Sequence, residues 1–321
     1  MRAVVIREFG PPEVLEPAEV DEVRAGQDEV VIDVELANVT FVETQVRAGR
    51  PPHPSMLPAL PAILGNGVGG TVANAAAGSG TDFPSRRVVA SLNGTGGYAE
   101  RVVSPASRLI EVPDGVAMRD AVALLADGRT ALTLADRAGL RPGDTVLVEA
   151  AAGGVGTLLL QIARRAGARV VALAGQPRKL AVARDLGADL TVDYSRDGWE
   201  KRVRDATGEV DVVFDGVGGD VGLAAFGLLR AGGRFCPFGM ASGSFAPVTP
   251  ELAQARQVSV RGGAAASPDQ LAALARTALA EAAAGRLRPV IGQEYELSAA
   301  AGAHAAIEAR ETVGKTLLTV R

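Results

Sequence analysis

The chain has 321 residues, 47% of them hydrophobic and 22% charged, with a net charge of −4. That length predicts two domains, and no apolar run reaches the roughly 18 to 20 residues of a membrane span. One cysteine, Cys236, excludes an internal disulfide; adding only His53 and His304 leaves too few ligands for the usual zinc set, and basic residues scattered among acids argue against a nucleic-acid surface.

The opening stretch MRAVVIREFG lacks the basic flank and long apolar core of a secretory signal, so a cytoplasmic location is expected. From Met1 to about Val112 the segments MRAVVIREF, EVVIDVELANV, GGTVANA, RRVVASL and YAERVVS read as strands between Gly and Pro clusters. Between them lies GRPPHPSMLPALPA, whose prolines make either a plain connector or a rigid rim over a site. In ANVTFVETQVRAGR, strand alternation would put Asn38 and Thr40 on one face, and these two with Gln45 are candidate pocket donors; closing a loop is an equally good role for them. His53 reads as a solvated residue of the loop, with a proton donor as the alternative role.

After about Arg119 the period changes. The strands DTVLVEAA, ARVVALAG, DLTVDY, VDVVFDGVG and GRFCPFG alternate with the helices GVGTLLLQIARRAG, RKLAVARDLG, WEKRVRDATG and LAAFGLLRAG. Short apolar strands alternating with amphipathic helices indicate βαβ crossovers and a doubly wound parallel sheet. Cys236 falls inside one of these strands and reads as core. From about Val258 the chain adds a strand, a long alanine-rich helix, IGQEYEL, a short helix and KTLLTV, a tail expected to return to the first domain.

EAAAGGVGTLLLQ turns a strand directly into a helix, so backbone N–H groups at the helix start can receive a pyrophosphate. Gly153 would let the backbone approach the phosphates and Gly156 would let helix and strand pack closely. Ala151 stands where the fingerprint places its first glycine, a position alanine can fill if its φ stays negative. About 20 residues on, where NAD enzymes place an acid for the ribose hydroxyls, the chain has Gly175 and Gln176, followed by Arg178 and Lys179. Two cations in a first helix turn oppose its dipole and look placed for an anion, so NADPH is favoured over NADH.

Through AAAGGVG, DLGADLTVDY, VFDGVGG, FGMASG and GKTLLTV, the chain resembles the medium-chain dehydrogenase/reductase superfamily, in particular its zinc-free quinone oxidoreductase branch, over essentially its full length. The resemblance implies an α/β protein with a GroES-like β-rich catalytic domain (1–118, completed by 258–321), a Rossmann domain (119–257) and a nicotinamide-holding cleft between them. It implies NADPH contacts at Thr130, Ala152, Gly153, Gly154, Val155, Gly156, Gly175, Arg178, Lys179, Tyr194, Val217, Phe238, Gly239, Met240 and Ser242, with Lys179 and Tyr194 on the 2′-phosphate. Thr40 and Asn66-Gly67 stand where zinc-dependent relatives carry ligands, and Thr40 and Gln45 where quinone oxidoreductases usually carry Asn and Tyr, so the pocket is altered.

The expected reaction is hydride transfer to a quinone or an α,β-unsaturated carbonyl compound. An enoyl reductase for a carrier- or CoA-bound intermediate, with Arg47 and Arg50 at its mouth, is the alternative within the enzyme class. An NADPH-binding sensor or structural protein with little turnover is the alternative outside it. The superfamily's habit of pairing Rossmann sheets edge to edge makes RQVSVRG the expected edge of a homodimer.

Overall fold

The valine-rich stretches of the N-terminal part do form strands, in a computed structural model that describes residues 1–75, 85–262 and 267–321. Two units result, Met1–Ala126 with Ala275–Arg321, and Asp127–Leu274.

The first unit begins with β1 (Arg2–Ile6), β2 (Glu16–Glu19) and the long β3 (Glu29–Val39), which runs into helix α1 (Phe41–Arg47). Then come β4 (Ala62–Ile63), β5 (Gly67–Ala75), β6 (Arg87–Ser91), β7 (Arg101–Pro105), β8 (Ile110–Glu111) and helix α2 (Met118–Ala138), within which the unit ends. In β3 the fully buried Val30, Ile32 and Val34 alternate with more exposed or edge-facing neighbours, the period-2 signature of a strand with one face in the core. Those residues pack with Ile6, Val68, Val88 and Tyr98.

In the second unit, β9 (Thr145–Val148), α3 (Gly154–Arg165), β10 (Arg169–Ala174), α4 (Pro177–Asp185), β11 (Leu190–Asp193), α5 (Trp199–Thr207), β12 (Val210–Asp215), α6 (Gly219–Phe226), β13 (Leu229–Pro237), α7 (Pro250–Ala255) and β14 (Ser259–Val260) follow one another. All pairings are parallel and the order is β11-β10-β9-β12-β13-β14. Counted from β9 this is 3-2-1-4-5-6, the doubly wound order whose strand direction of growth reverses beside the first strand. Leu147, Val171, Leu173 and Val213 are fully buried because helices cover both faces of such a sheet. Phe226 and Phe235 meet edge to face at 5.4 Å.

The tail supplies α8 (Pro268–Ala283), β15 (Ile291–Glu296), α9 (Ala300–Glu308) and β16 (Lys315–Thr319). Strand β16 pairs antiparallel with β3, and β15 lies parallel to β16, giving a first-unit sheet of order β15-β16-β3-β5-β6-β8 with β7 also on β3. Among the described residues no helix is long and apolar enough to cross a membrane.

Three local expectations need correction. Strand alternation does not carry from Asn38 to Thr40, because β3 stops at Val39 and Thr40 starts a helix. The helix expected over LAAFGLLRAG starts earlier and stops at Phe226; Leu229 and Arg230 are already strand. Gly227 caps that helix, and the two leucines that follow it, Leu228 and Leu229, pack as well from a turn and a strand as from a helix face, so periodicity alone misplaced the boundary. Helix α2 was not anticipated at all.

Candidate cofactor and catalytic sites

The β9–α3 turn is built by backbone bonds that extend the sheet. Glu149 N–H donates to Phe214 O at 3.0 Å and Ala151 N–H to Leu173 O at 3.1 Å, so both neighbouring strands hold the turn. The left-handed residue is Ala150, φ 45°, while Ala151 keeps a negative φ as its place in the fingerprint requires. Ala150 O then accepts from Gly153 N–H at 2.8 Å. Gly153 caps α3 in an extended conformation and brings no side-chain acceptor of its own to the N–H groups and partial positive charge of the helix start. A Cβ on Gly156 would lie 2.3 Å from Ala150 O, so only glycine lets the helix sit this close to the turn. Ala152 is buried, and Gly154 and Val155 are half-buried at the helix start. One feature escaped the sequence reading: a Cβ on Gly154 would lie 1.9 Å from an Asp127 carboxyl oxygen, so α2 already brings an acid to this helix start. Thr130 lies three residues on, along the same side of α2.

At the end of β10, Gly175 lies against the Tyr194 ring, a Cβ there falling 3.8 Å from its hydroxyl. Gln176 begins α4 without a side-chain cap, Arg178 is exposed and Lys179 half-buried in the first turn. Asp193, next to Tyr194, pairs in register with Ala174 and is a carboxylate that a spacing argument along one strand cannot see. Hydrogen bonds from the Ser195 hydroxyl (2.6 Å) and N–H (3.0 Å), with Arg196 at 3.3 Å, hold its pKa below the usual carboxylate range.

The ends of β12 and β13 are stitched together. Phe238 N–H donates to Asp215 O at 2.8 Å and Ser242 N–H to Val217 O at 2.8 Å, and a Cβ on Gly239 would lie 2.5 Å from Gly216 O. Val217, Phe238, Gly239, Met240 and Ser242 therefore form one cluster, which Gly216 joins to the turn through Ala150.

In the first unit Thr40 and Glu43 form a reciprocal cap. Thr40 Oγ1 accepts from Glu43 N–H at 3.3 Å, and Glu43 Oε2 accepts from Thr40 N–H at 2.6 Å. The other carboxyl oxygen accepts from Asn66 N–H at 2.7 Å, so Glu43 ties together the two places where zinc-dependent relatives carry ligands. Burial raises the Glu43 pKa, and burial followed by the Glu43 charge raises that of Tyr98, whose hydroxyl lies 3.3 Å from Glu43 and 3.0 Å from His304 Nε2. His304 is pushed down to about 3 by burial, then by Arg47, and is neutral. The TxxE spacing of TFVE was the signal for the cap; the contacts with Tyr98 and His304 join distant parts of the chain and left none.

The other candidate donors are engaged elsewhere. Asn38 is fully buried, donates to Val122 O at 3.4 Å, and fills the space above Gly67, where a Cβ would lie 2.2 Å from its Nδ2. Gln45 gives its amide to Thr44 Oγ1 at 3.1 Å. His53 turns its ring onto Ser55 in the exposed loop. Buried Cys236 has its thiol pushed up to about 12, chiefly by burial. Among the described residues no group of three or more His, Cys, Asp or Glu is placed to hold a metal ion.

Comparison with known proteins gives the same two-part division. Residues 26–114 match the alcohol dehydrogenase GroES-like domain, and 154–280 the family described as zinc-binding dehydrogenase. A quinone oxidoreductase of Pseudomonas aeruginosa is 33% identical over 97% of each chain, and a 2-haloacrylate reductase of a Burkholderia species 30% identical over 98% of each. The structure of Escherichia coli quinone oxidoreductase complexed with NADPH superposes with a TM-score of 0.90 at 26% identity, covering all of both chains.

Proposed function

We propose that this chain, which belongs to the medium-chain dehydrogenase/reductase superfamily and within it to the quinone oxidoreductase branch, is an NADPH-dependent reductase of quinones or α,β-unsaturated carbonyl compounds. The observation that carries the cofactor reading is the β9–α3 turn: a helix start capped by a glycine, reached through a glycine cradle too tight for any side chain at Gly156. Bound NADPH would supply the hydride. The N–H groups at the start of α3 would take its pyrophosphate, and Lys179 with Tyr194 its 2′-phosphate, a preference supported by the missing acid at Gly175 and Gln176.

Thr40 is the donor we assign to the acceptor oxygen. Its Oγ1 is oriented by the Glu43 N–H, and its O–H can turn from the Glu43 carboxyl to donate a hydrogen bond to an oxyanion as negative charge develops there. Buried Asn38 and Gln45 orient the surrounding structure rather than offer donors, and solvent can complete protonation. The carrier-bound alternative loses one of its cations, because Arg47 is buried, ion-paired with Glu308 and donating to Gly10 O at 2.9 Å; Arg50 remains exposed.

The test follows loss of reduced nicotinamide absorbance with 9,10-phenanthrenequinone, 1,4-benzoquinone and an alkyl enone. Turnover with NADPH supports the reading, and tight NADPH binding without turnover of any acceptor favours a sensor role. We also infer a homodimer formed through the outer edge of β14, where Val260 is 47% exposed. A monomeric mass by light scattering at micromolar concentration would contradict it.

A further inference from the structure

Strands β9 and β12 are neighbours, and each leads into an acid: Glu149 follows β9 directly and Asp215 closes β12. Both side chains are fully buried. Their carboxyls converge on one backbone donor, Val217 N–H, at 3.2 Å from Glu149 Oε2 and 3.1 Å from Asp215 Oδ1; the latter also accepts Gly218 N–H at 2.7 Å. Glu149 Oε1 and Asp215 Oδ2 have no donor among the described residues, and the two carboxyls are within hydrogen-bonding reach of each other.

Among the described residues no cation acts on Glu149. The charge that acts on Glu149 is that of Asp215, the α6 residue facing Asp215 Oδ2 is Gly222, and the acid on α2, Asp127, lies at Gly154. Two ionised carboxylates in one buried pocket repel while each has already lost its hydration, so one proton between them is the arrangement that satisfies the geometry.

We propose that Glu149 and Asp215 share one proton and act as a positioning pair, holding the Val217–Gly219 turn in the shape that receives the cofactor and releasing it when the proton is lost. Asp215 is bonded through its backbone oxygen to Phe238, and Val217 through its own to Ser242, so movement of this turn moves the whole cluster at the ends of β12 and β13. Burial and the neighbouring acid both raise the Glu149 pKa well above the usual range, which agrees with one proton held there at neutral pH. The effect on binding rests on the NADPH reading above; the shared proton does not.

The experiment measures NADPH affinity by nicotinamide fluorescence between about pH 7 and 10 for the wild type, Glu149→Gln and Asp215→Asn. A single linked proton weakens binding by up to about tenfold per pH unit once the pair titrates. Glu149→Gln carries a permanent N–H in place of the shared proton, so it should bind within about twofold of wild type at neutral pH and show a flatter alkaline profile. Asp215→Asn, which donates towards Glu149, is the second variant should the first not fold. Identical alkaline profiles in wild type and either folded variant overturn the proposal. Proton release on unfolding at neutral pH, without cofactor, provides the separate readout: about one proton more from wild type than from Glu149→Gln is expected, since the acid ionises in the unfolded chain. No difference in proton release overturns the shared proton even if NADPH binds, while a difference together with no NADPH binding would retain the pair and remove the cofactor reading.

Discussion

Replacing Gly156 by alanine should damage the β9–α3 turn in a way that replacing Gly153 does not. At Gly156 the added Cβ would sit 2.3 Å from Ala150 O, 2.9 Å from Ala151 Cα and 3.0 Å from Ala150 C, all backbone atoms that cannot rotate aside. Relieving that overlap requires the helix start to move away from the turn, a cost of about 1 to 3 kcal/mol for overpacking. Alanine recovers up to about 1 kcal/mol of helix propensity, leaving a net loss of up to about 2 kcal/mol. At Gly153 the backbone is extended, φ −81° and ψ 171°, and the Cβ would be 3.2 Å from Ala150 O, so a shift of a few tenths of an ångström suffices. Denaturant titration of the two variants measures the difference. NADPH titration should show a Kd raised about tenfold or more for Gly156→Ala, the cost of weakening one charge-assisted bond to phosphate at about 1.5 to 3 kcal/mol. Wild-type stability and affinity in Gly156→Ala, or a larger loss in Gly153→Ala, would refute the reasoning.

Lys179→Ala should raise the Kd for NADPH about tenfold or more while leaving NADH nearly unchanged, since only the former carries the 2′-phosphate; equal weakening of both would show that Lys179 does not read that group. The neutral, buried His304, pushed down to about 3, should make the protein lose stability on acidification. Between the unfolded value of about 6.5 and that lower value the unfolded chain binds the extra proton, so stability falls with pH across this window, by at most about 5 kcal/mol. His304→Gln should flatten the unfolding midpoint against pH between about pH 7 and 4, and parallel curves would sink the argument. Cys236, buried with its thiol pushed up to about 12, should resist alkylation at neutral pH until denaturant is added; rapid labelling of the folded protein would contradict its core placement.

The doubly wound half was readable because its strands are apolar on both faces and its helices amphipathic, so the period changes at each boundary. The turn at Ala150 to Gly156 was readable for a related reason: the sequence shows both the small residues and the elements they must join. Sequence reading failed where contacts link distant positions. Asp193 reaches the end of β10 by strand pairing, Asp127 reaches Gly154 from α2, and Glu149 meets Asp215 across two strands. Thr40 was misplaced for a local reason, since TFVE continues the valine content of β3 while its capping pattern ends the strand. Asn38 was read as a donor from strand alternation and Gln45 from the resemblance; in the structure both are buried, Asn38 donating to Val122 O and Gln45 to Thr44 Oγ1.

The central claim is NADPH-dependent reduction of an electron-poor acceptor, and parallel assays of NADPH and NADH consumption with the two quinones and the enone test it most directly. Sustained consumption of NADPH, with NADH much slower at equal concentration, is the predicted result. No consumption of either cofactor with any acceptor by protein that binds NADPH would contradict it.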